Sequence, residues 1–257
     1  MLSFIVIIVV SFIASLLTFF SGFGLGTLLM PIVAIFFPID IAIAITAIVH
    51  LANNAFKFIL VKNNINFSVL IRFGLPALIM AFLGAWLLTQ FSDVKQIVDY
   101  AIFGFERQTT SVNLLIGGLI LLLLIIELTP TLAQLKFNKK YLPFGGVISG
   151  FFGGLSGHQG AFRSMFLLKI GLSKHAYIAT GVMIAILVDF ARLSVYGLHF
   201  SAMSEINWWL VSCATLSAFL GAFIGKKLLK RVTINLIQQL VSALLFSIAI
   251  ALMLGFI

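Results

Sequence analysis

From Leu119 to Ile126 every residue is aliphatic, and from Ala243 to Leu254 none is charged. Runs of this kind recur along the whole chain. Of its 257 residues 62% are hydrophobic and 9% charged, and the mean hydropathy is +1.22. A soluble domain carries about 25% charged residues, because its outer surface must face water. This chain has too few polar side chains for such a surface, so its exterior faces lipid. Lipid-facing barrel strands alternate in segments of about ten residues, whereas these runs are continuous. The fold class is an all-α polytopic membrane protein.

A full span needs about 20 apolar residues. The segments 40–62, 69–91, 112–130, 174–197, 207–225 and 234–256 meet that length, and 2–20 can meet it too. The N-terminus "MLSFIVIIVV" has no basic leader and reads as the first membrane segment. Three stretches are short: 23–37, 142–155 and 160–170. Each is joined to a neighbour through a glycine-rich break. This predicts two helical hairpins, 2–37 and 142–170, with tips at Ser21–Gly26 and Ser156–Gly160, either re-entering to mid-membrane or crossing as tilted pairs.

Charge assigns the faces. Lys62, Arg72, Lys136, Lys139, Lys140, Lys169, Lys174, Lys226, Lys227, Lys230 and Arg231 fall in loops on one side. The opposite side holds Lys95 and Arg107 with Asp40, Asp93, Asp99, Glu106 and Glu205. By the positive-inside rule the lysine-rich face is cytoplasmic and both termini lie outside. Trp86, Trp208 and Trp209 fall near the outer boundary, where interfacial aromatics belong. The net charge of +9 and pI of about 9.9 thus reflect topology and lipid contact, and nucleic acid is excluded as a partner. Glu127 can reach the inner interface, and the phenylalanines mark no cofactor site. The single cysteine, Cys213, builds neither an intrachain disulfide nor a metal cluster. No cofactor or metal is expected. The expected partners are a small anionic substrate, protons and the lipid bilayer, with a homo-oligomer left open.

The two breaks answer to each other. Ser21–Gly22 and Ser156–Gly157 share one spacing with Asn54 and Asp189, which are 135 positions apart; Lys57 and Arg192 share it as well. "AFLGA" occurs at Ala81–Ala85 and again at Ala218–Ala222. The chain reads as a first repeat over 1–130, a linker over 131–141 and a second repeat over 142–257. Each repeat has five segments and opens with a hairpin. Five is odd, so the second copy starts on the opposite face and the repeats are inverted. Transporters of that plan bind substrate near the midplane, at the repeat interface. Irregular backbone survives in a membrane only when buried in protein or lining a wet cavity, and helix N-termini there favour an anion. The plainer alternative is that the glycines only let helices pack closely.

The hairpin "SGFGLGTLLMP", its counterpart "ISGFFGGLSGHQGAF" and the paired "AFLGA" motifs resemble those of the sulfite exporter TauE/SafE family over nearly the whole chain. Members often carry a run of glycines after each bend. Here the copies read Gly22, Gly24, Gly26 and Gly157-His158-Gln159-Gly160, and an insertion at 92–111 lengthens one outer loop. The resemblance implies export of small sulfur-containing anions, such as sulfite or organosulfonates like sulfoacetate, coupled to the proton gradient.

The residues themselves give candidate substrate contacts at Ser21, Gly22, Phe23, Gly24, Ser156, Gly157, His158, Gln159, Gly160 and Arg163. The serine hydroxyls and the backbone amides of Gly22–Gly24 and Gly157–Gly160 can donate to an oxyanion. Arg163 can bind one through two parallel hydrogen bonds; otherwise it snorkels or pairs with Asp189. His158 can donate in either charge state, or can be a satisfied helix-end histidine. His50, Asn53, Asn54 and Lys57 stand at i, i+3, i+4 and i+7 on one helix face, and such a stripe faces the bundle interior or a wet cavity. Lys57, Asp189 and Arg192 are candidates for gating or coupling. Lys57 would serve the inner mouth and Arg192 the outer, and Asp189 would carry a proton; alternatively Asp189 and Arg192 simply neutralise each other. The expected function is a secondary transporter exporting a small sulfur-containing anion by alternating access, resident in a prokaryotic inner membrane. The alternatives are an anion channel or an exporter of another small organic anion. No enzyme is expected: no G-x-S-x-G, H-E-x-x-H or paired carboxylates occur, and His158 with Ser156 or Ser164 supplies the only candidate dyads.

Overall fold

The computed structural model describes residues 2–21, 24–92, 98–102, 105–129, 137–168, 170–199, 206–228 and 234–256. Among these residues the chain forms α1 (Leu2–Ser21), α2 (Leu25–Ala34), α3 (Ile39–Val61), α4 (67–92) and α5 (Ser111–Leu128). Beyond Tyr141 follow α6 (Leu142–Ser156), α7 (Gly160–Leu167), α8 (Lys174–His199), α9 (Trp208–Leu228) and α10 (Ile234–Met253). Helices α3, α4, α8 and α9 are long and apolar enough to cross a membrane. The short stretches foreseen at 23–37 and 160–170 become α2 and α7, of 10 and 8 residues. At 1.5 Å per residue they rise only about 15 and 12 Å, too little to cross alone.

Local chemistry places the ends. Thr110 Oγ1 accepts from Asn113 N at the start of α5, Ser173 Oγ from Ala176 N before α8, and Asn207 Oδ1 from Leu210 N before α9. Asn66 caps α4 in the same way. The first part of α4 opens into a π turn over Leu70–Gly74. Pro76, two residues after Gly74, lacks the amide hydrogen that the ladder requires. The stretch expected to be only an outer loop, 92–111, instead carries an antiparallel hairpin, β1 (Val98–Ile102) with β2 (Phe105–Thr109), pairing Ile102 with Phe105. Its signal was present: Gly104 between two runs containing β-branched and aromatic residues.

Two seams of small residues clamp the bundle. Along α6, Gly146, Gly150 and Gly154 lie so close to the α4 backbone that a Cβ on them would overlap the carbonyls of Phe73, Ala77 and Ala81. Gly84 of α4 meets the Phe151 carbonyl in return. The second seam joins α9 to α1, where Gly221 faces the Phe12 carbonyl and Gly225 the Leu16 carbonyl, while Ser217 Oγ donates to Ile8 O at 2.8 Å. Both AFLGA glycines are therefore packing residues, as small residues in membrane helices commonly are. Helices α3 and α8 pack against each other in the interior, and α5 packs against α10. The most apolar windows of α3 and α8 are 61% and 67% buried, against 33% and 39% for α4 and α9. The outer pair turns Leu75, Ile79, Trp86, Leu216 and Leu220 outward, as lipid contact requires.

Candidate functional site

The two breaks form where the sequence interrupts itself. Helix α1 ends at Ser21 and α2 begins at Leu25, after Gly24 in extended backbone. Helix α6 ends at Ser156, and Gly157 caps it with a φ of 82°, the left-handed region that favours glycine. Gly160 then starts α7. The breaks touch: a Cβ built on Gly26 would lie 3.7 Å from the Gly157 carbonyl oxygen. One built on Gly24 would lie 3.0 Å from His50 Nε2. Gly22 and Phe23, and the side chain of Ser21, lie outside the described residues.

Between the breaks α3 and α8 bring charge together. His50 Nδ1 is 2.6 Å from Asp189 Oδ2. Asn54 Nδ2 donates to the same oxygen at 3.4 Å. On the other oxygen Arg192 Nε donates to Oδ1 at 3.1 Å, and Nη2 sits 2.9 Å from it as an ionic contact off the hydrogen-bonding line. Asn54 also lies 3.1 Å from His50 Nδ1, but that nitrogen cannot both donate to the carboxylate and accept from the amide. The shorter, charge-assisted bond fixes the tautomer: Nδ1 carries the proton, and Nε2 faces Gly24. Arg192 and Asp189 do pair, yet the carboxylate is shared with a histidine from the other half of the chain.

A cavity lies beside this pair. Thr18, Gly24, Leu25, His50, Asn54, Lys57 and Arg163 line it together with Tyr177, Ile178, Gly181 and Val182. On α8 the lining residues stop at Val182, so the cavity lies on the Lys57 side of Asp189, and Arg192 lies beyond. Arg163 does not pair with Asp189: its Nη1 donates to Gln159 Oε1 at 3.4 Å. Lys57 and Arg163 are 4% and 7% exposed, and Asp189 and Arg192 are 0% and 1%. Among the described residues the buried charged side chains are thus three cations and one carboxylate. Charge removed from water is costly unless compensated, so this arrangement favours an incoming anion.

Several expectations need correction. In this structure the Ser156 hydroxyl donates to Phe152 O at 3.1 Å and does not point its proton into the cavity. The Gly157 amide is likewise committed, to Gly153 O at 2.8 Å. Neither Ser156 nor the 157–160 bend lines the cavity; His158 and Gln159 are buried behind it. The four-residue stripe divides. His50, Asn54 and Lys57 face the cavity, while Asn53 Oδ1 accepts from Ser15 Oγ of α1 at 3.0 Å. Thr18, Tyr177 and Gly181 are lining residues that the sequence reading passed over. Tyr177 OH donates to Ser164 Oγ at 3.3 Å, tying α8 to α7. Tyr177 and Gly181 stand at i and i+4, the signal that would have found them.

Set against known proteins, residues 7–252 match the family described as Sulfite exporter TauE/SafE. The match takes in α2 to α9 completely and most of α1 and α10. No curated protein and no solved structure gives a match.

Proposed function

The chain belongs to the sulfite exporter TauE/SafE family, and on that premise we propose that it exports sulfite or a small organosulfonate such as sulfoacetate, driven by the proton gradient through alternating access. Membership makes it an integral membrane transporter and not an enzyme. The finer reading is carried by one observation: Lys57 and Arg163 line a cavity that also takes in the N-terminus of α2 and His50, the partner of Asp189.

The cavity has the chemistry for a small oxyanion. Arg163 offers a planar donor fork, Lys57 a point charge and Asn54 an amide. The first turn of α2 adds the amides of Leu25 and Gly26, ahead of Thr27 N, which donates to Gly24 O. Leu25, Ile178 and Val182 give one apolar wall, which suits a short organic substituent. In this reading the lysine-rich face is cytoplasmic, both termini are outside, and the cavity takes its anion from the inside of a prokaryotic inner membrane. The seams support two inverted repeats: the first helix of each half packs on the fourth of the other, the third helices pack together, and so do the fifth. Asp189, held by His50 of the first half and Arg192 of the second, carries the coupling proton.

The test is efflux from sulfite-loaded proteoliposomes with and without an imposed proton gradient. The wild type responds to the gradient, and Asp189→Asn loses that response. Arg163→Gln raises the apparent KM about tenfold or more, in line with a charged hydrogen bond worth about 1.5–3 kcal/mol. Sulfite flux indifferent to the gradient in the wild type would identify a channel, and organosulfonate flux without sulfite flux would reassign the substrate.

A further inference from the structure

The cavity leaves a second group of buried polar atoms unexplained. Among the described residues, His158 Nε2 and Gln159 Nε2 have no hydrogen-bond partner and Arg192 Nη2 has none beyond its ionic contact with Asp189, in side chains 1%, 0% and 1% exposed. Leaving such a group unmade costs about 1–3 kcal/mol, and native proteins keep few. All three gather at the second break. His158 and Gln159 are its residues, and the Arg192 guanidinium lies against Gly157, the residue directly before His158. All three are nitrogens. The guanidinium and the amide can only donate. His158 Nε2 donates as the imidazolium, or as the neutral ring once Ser156 turns its proton from Phe152 O to Nδ1, now 3.0 Å away. With Ser156 donating to Phe152 O, the neutral ring donates from Nδ1 and leaves Nε2 an acceptor; once His158 takes either donating form, the three nitrogens together suit an oxyanion and not a cation.

Its place along α8 separates it from the cavity. Tyr177, Ile178, Gly181 and Val182 line the cavity, Asp189 lies about two turns further along the helix, and Arg192 stands one turn beyond Asp189. Gln159 is the link between the two: its Oε1 accepts from Arg163 of the cavity, while its amide nitrogen is unpaired.

We propose that Arg192, His158 and Gln159 form a second oxyanion station, closed in this structure, on the far side of the His50–Asp189 pair from the cavity. The station rests on the transporter reading given above. An anion leaving Lys57 and Arg163 passes Gln159 to reach it. A proton entering from the Arg192 side binds the Asp189 carboxylate. The neutral carboxyl no longer holds the guanidinium by charge, and Arg192 turns its donors to the anion. Release of the anion and loss of that proton restore the pair, and no bond in the anion is made or broken.

Sulfite uptake into vesicles of each orientation tests this. Arg192→Gln and His158→Ala raise the apparent KM at the Arg192 face at least tenfold more than at the Lys57 face, and Lys57→Gln does the reverse. Arg192→Lys recovers most of the affinity. Equal changes at both faces for every variant would overturn the second station and leave one site. Wild-type vesicles without saturable sulfite flux at either face would sink the transport reading instead. The station is then judged by anomalous scattering from selenite bound in crystals. Signal beside Arg192 supports it, and signal confined to the Lys57 cavity overturns it.

Discussion

At the scale of the residue, Gly157 is the most constrained position. Its φ of 82° suits glycine, and a Cβ there would run into Arg192 Nη1. Gly157→Ala therefore meets two penalties: about 1–2 kcal/mol for left-handed backbone, and displacement of the guanidinium from Asp189. The expected outcome is a lower melting temperature together with loss of transport, read on the same purified sample. Full transport in this variant would show that the Arg192–Asp189 contact is dispensable. Much at this scale was legible in the sequence. Polar residues are rare enough in apolar segments that His50, Asn54, Lys57, Arg163, Asp189 and Arg192 announced themselves. Which of them meet was not legible. His50 and Asp189 are 139 positions apart, and no local pattern specifies that contact. Asn53 shows the finer limit: helical periodicity put it on the stripe, and only the position of Ser15 on α1 decided where its side chain bonds.

At the scale of the element, glycine serves two separate purposes in one helix. Gly146, Gly150 and Gly154 let α6 lie against α4, and Gly157 ends α6. The sequence shows both groups as one glycine-rich tract, because spacing alone does not say which glycines face a neighbouring backbone. Substitution separates them. Gly150→Leu forces α4 and α6 apart; overpacking of this kind costs about 1–3 kcal/mol, a fall in melting temperature of roughly 5 °C or more. Gly118→Leu on α5, where a Cβ meets nothing within 4 Å, serves as the control and leaves the melting temperature nearly unchanged. An equal effect of both substitutions would contradict the tight α4–α6 seam. Element lengths were readable from apolar run lengths and breaks, and α2, α6 and α7 came out short as expected. The hairpin of β1 and β2 is not legible in hydropathy, which registers only the helices on either side.

At the scale of the whole molecule, each half of the chain is completed by the other. The α1–α9, α4–α6, α3–α8 and α5–α10 packings all join residues before 130 to residues after 141, and the shared carboxylate of Asp189 is held from both. The largest helix packings thus run between the halves and not within them. A chain cut after Phe137 should therefore assemble when both pieces are made together: the tagged first piece retrieves the second from detergent extract, and the pair restores anion efflux. Either piece made alone, with its glycine seam bare to lipid, should be degraded. Covalent continuity across the linker would then be a matter of stoichiometry and delivery, and two separately encoded chains inserted in opposite senses would make the same machine.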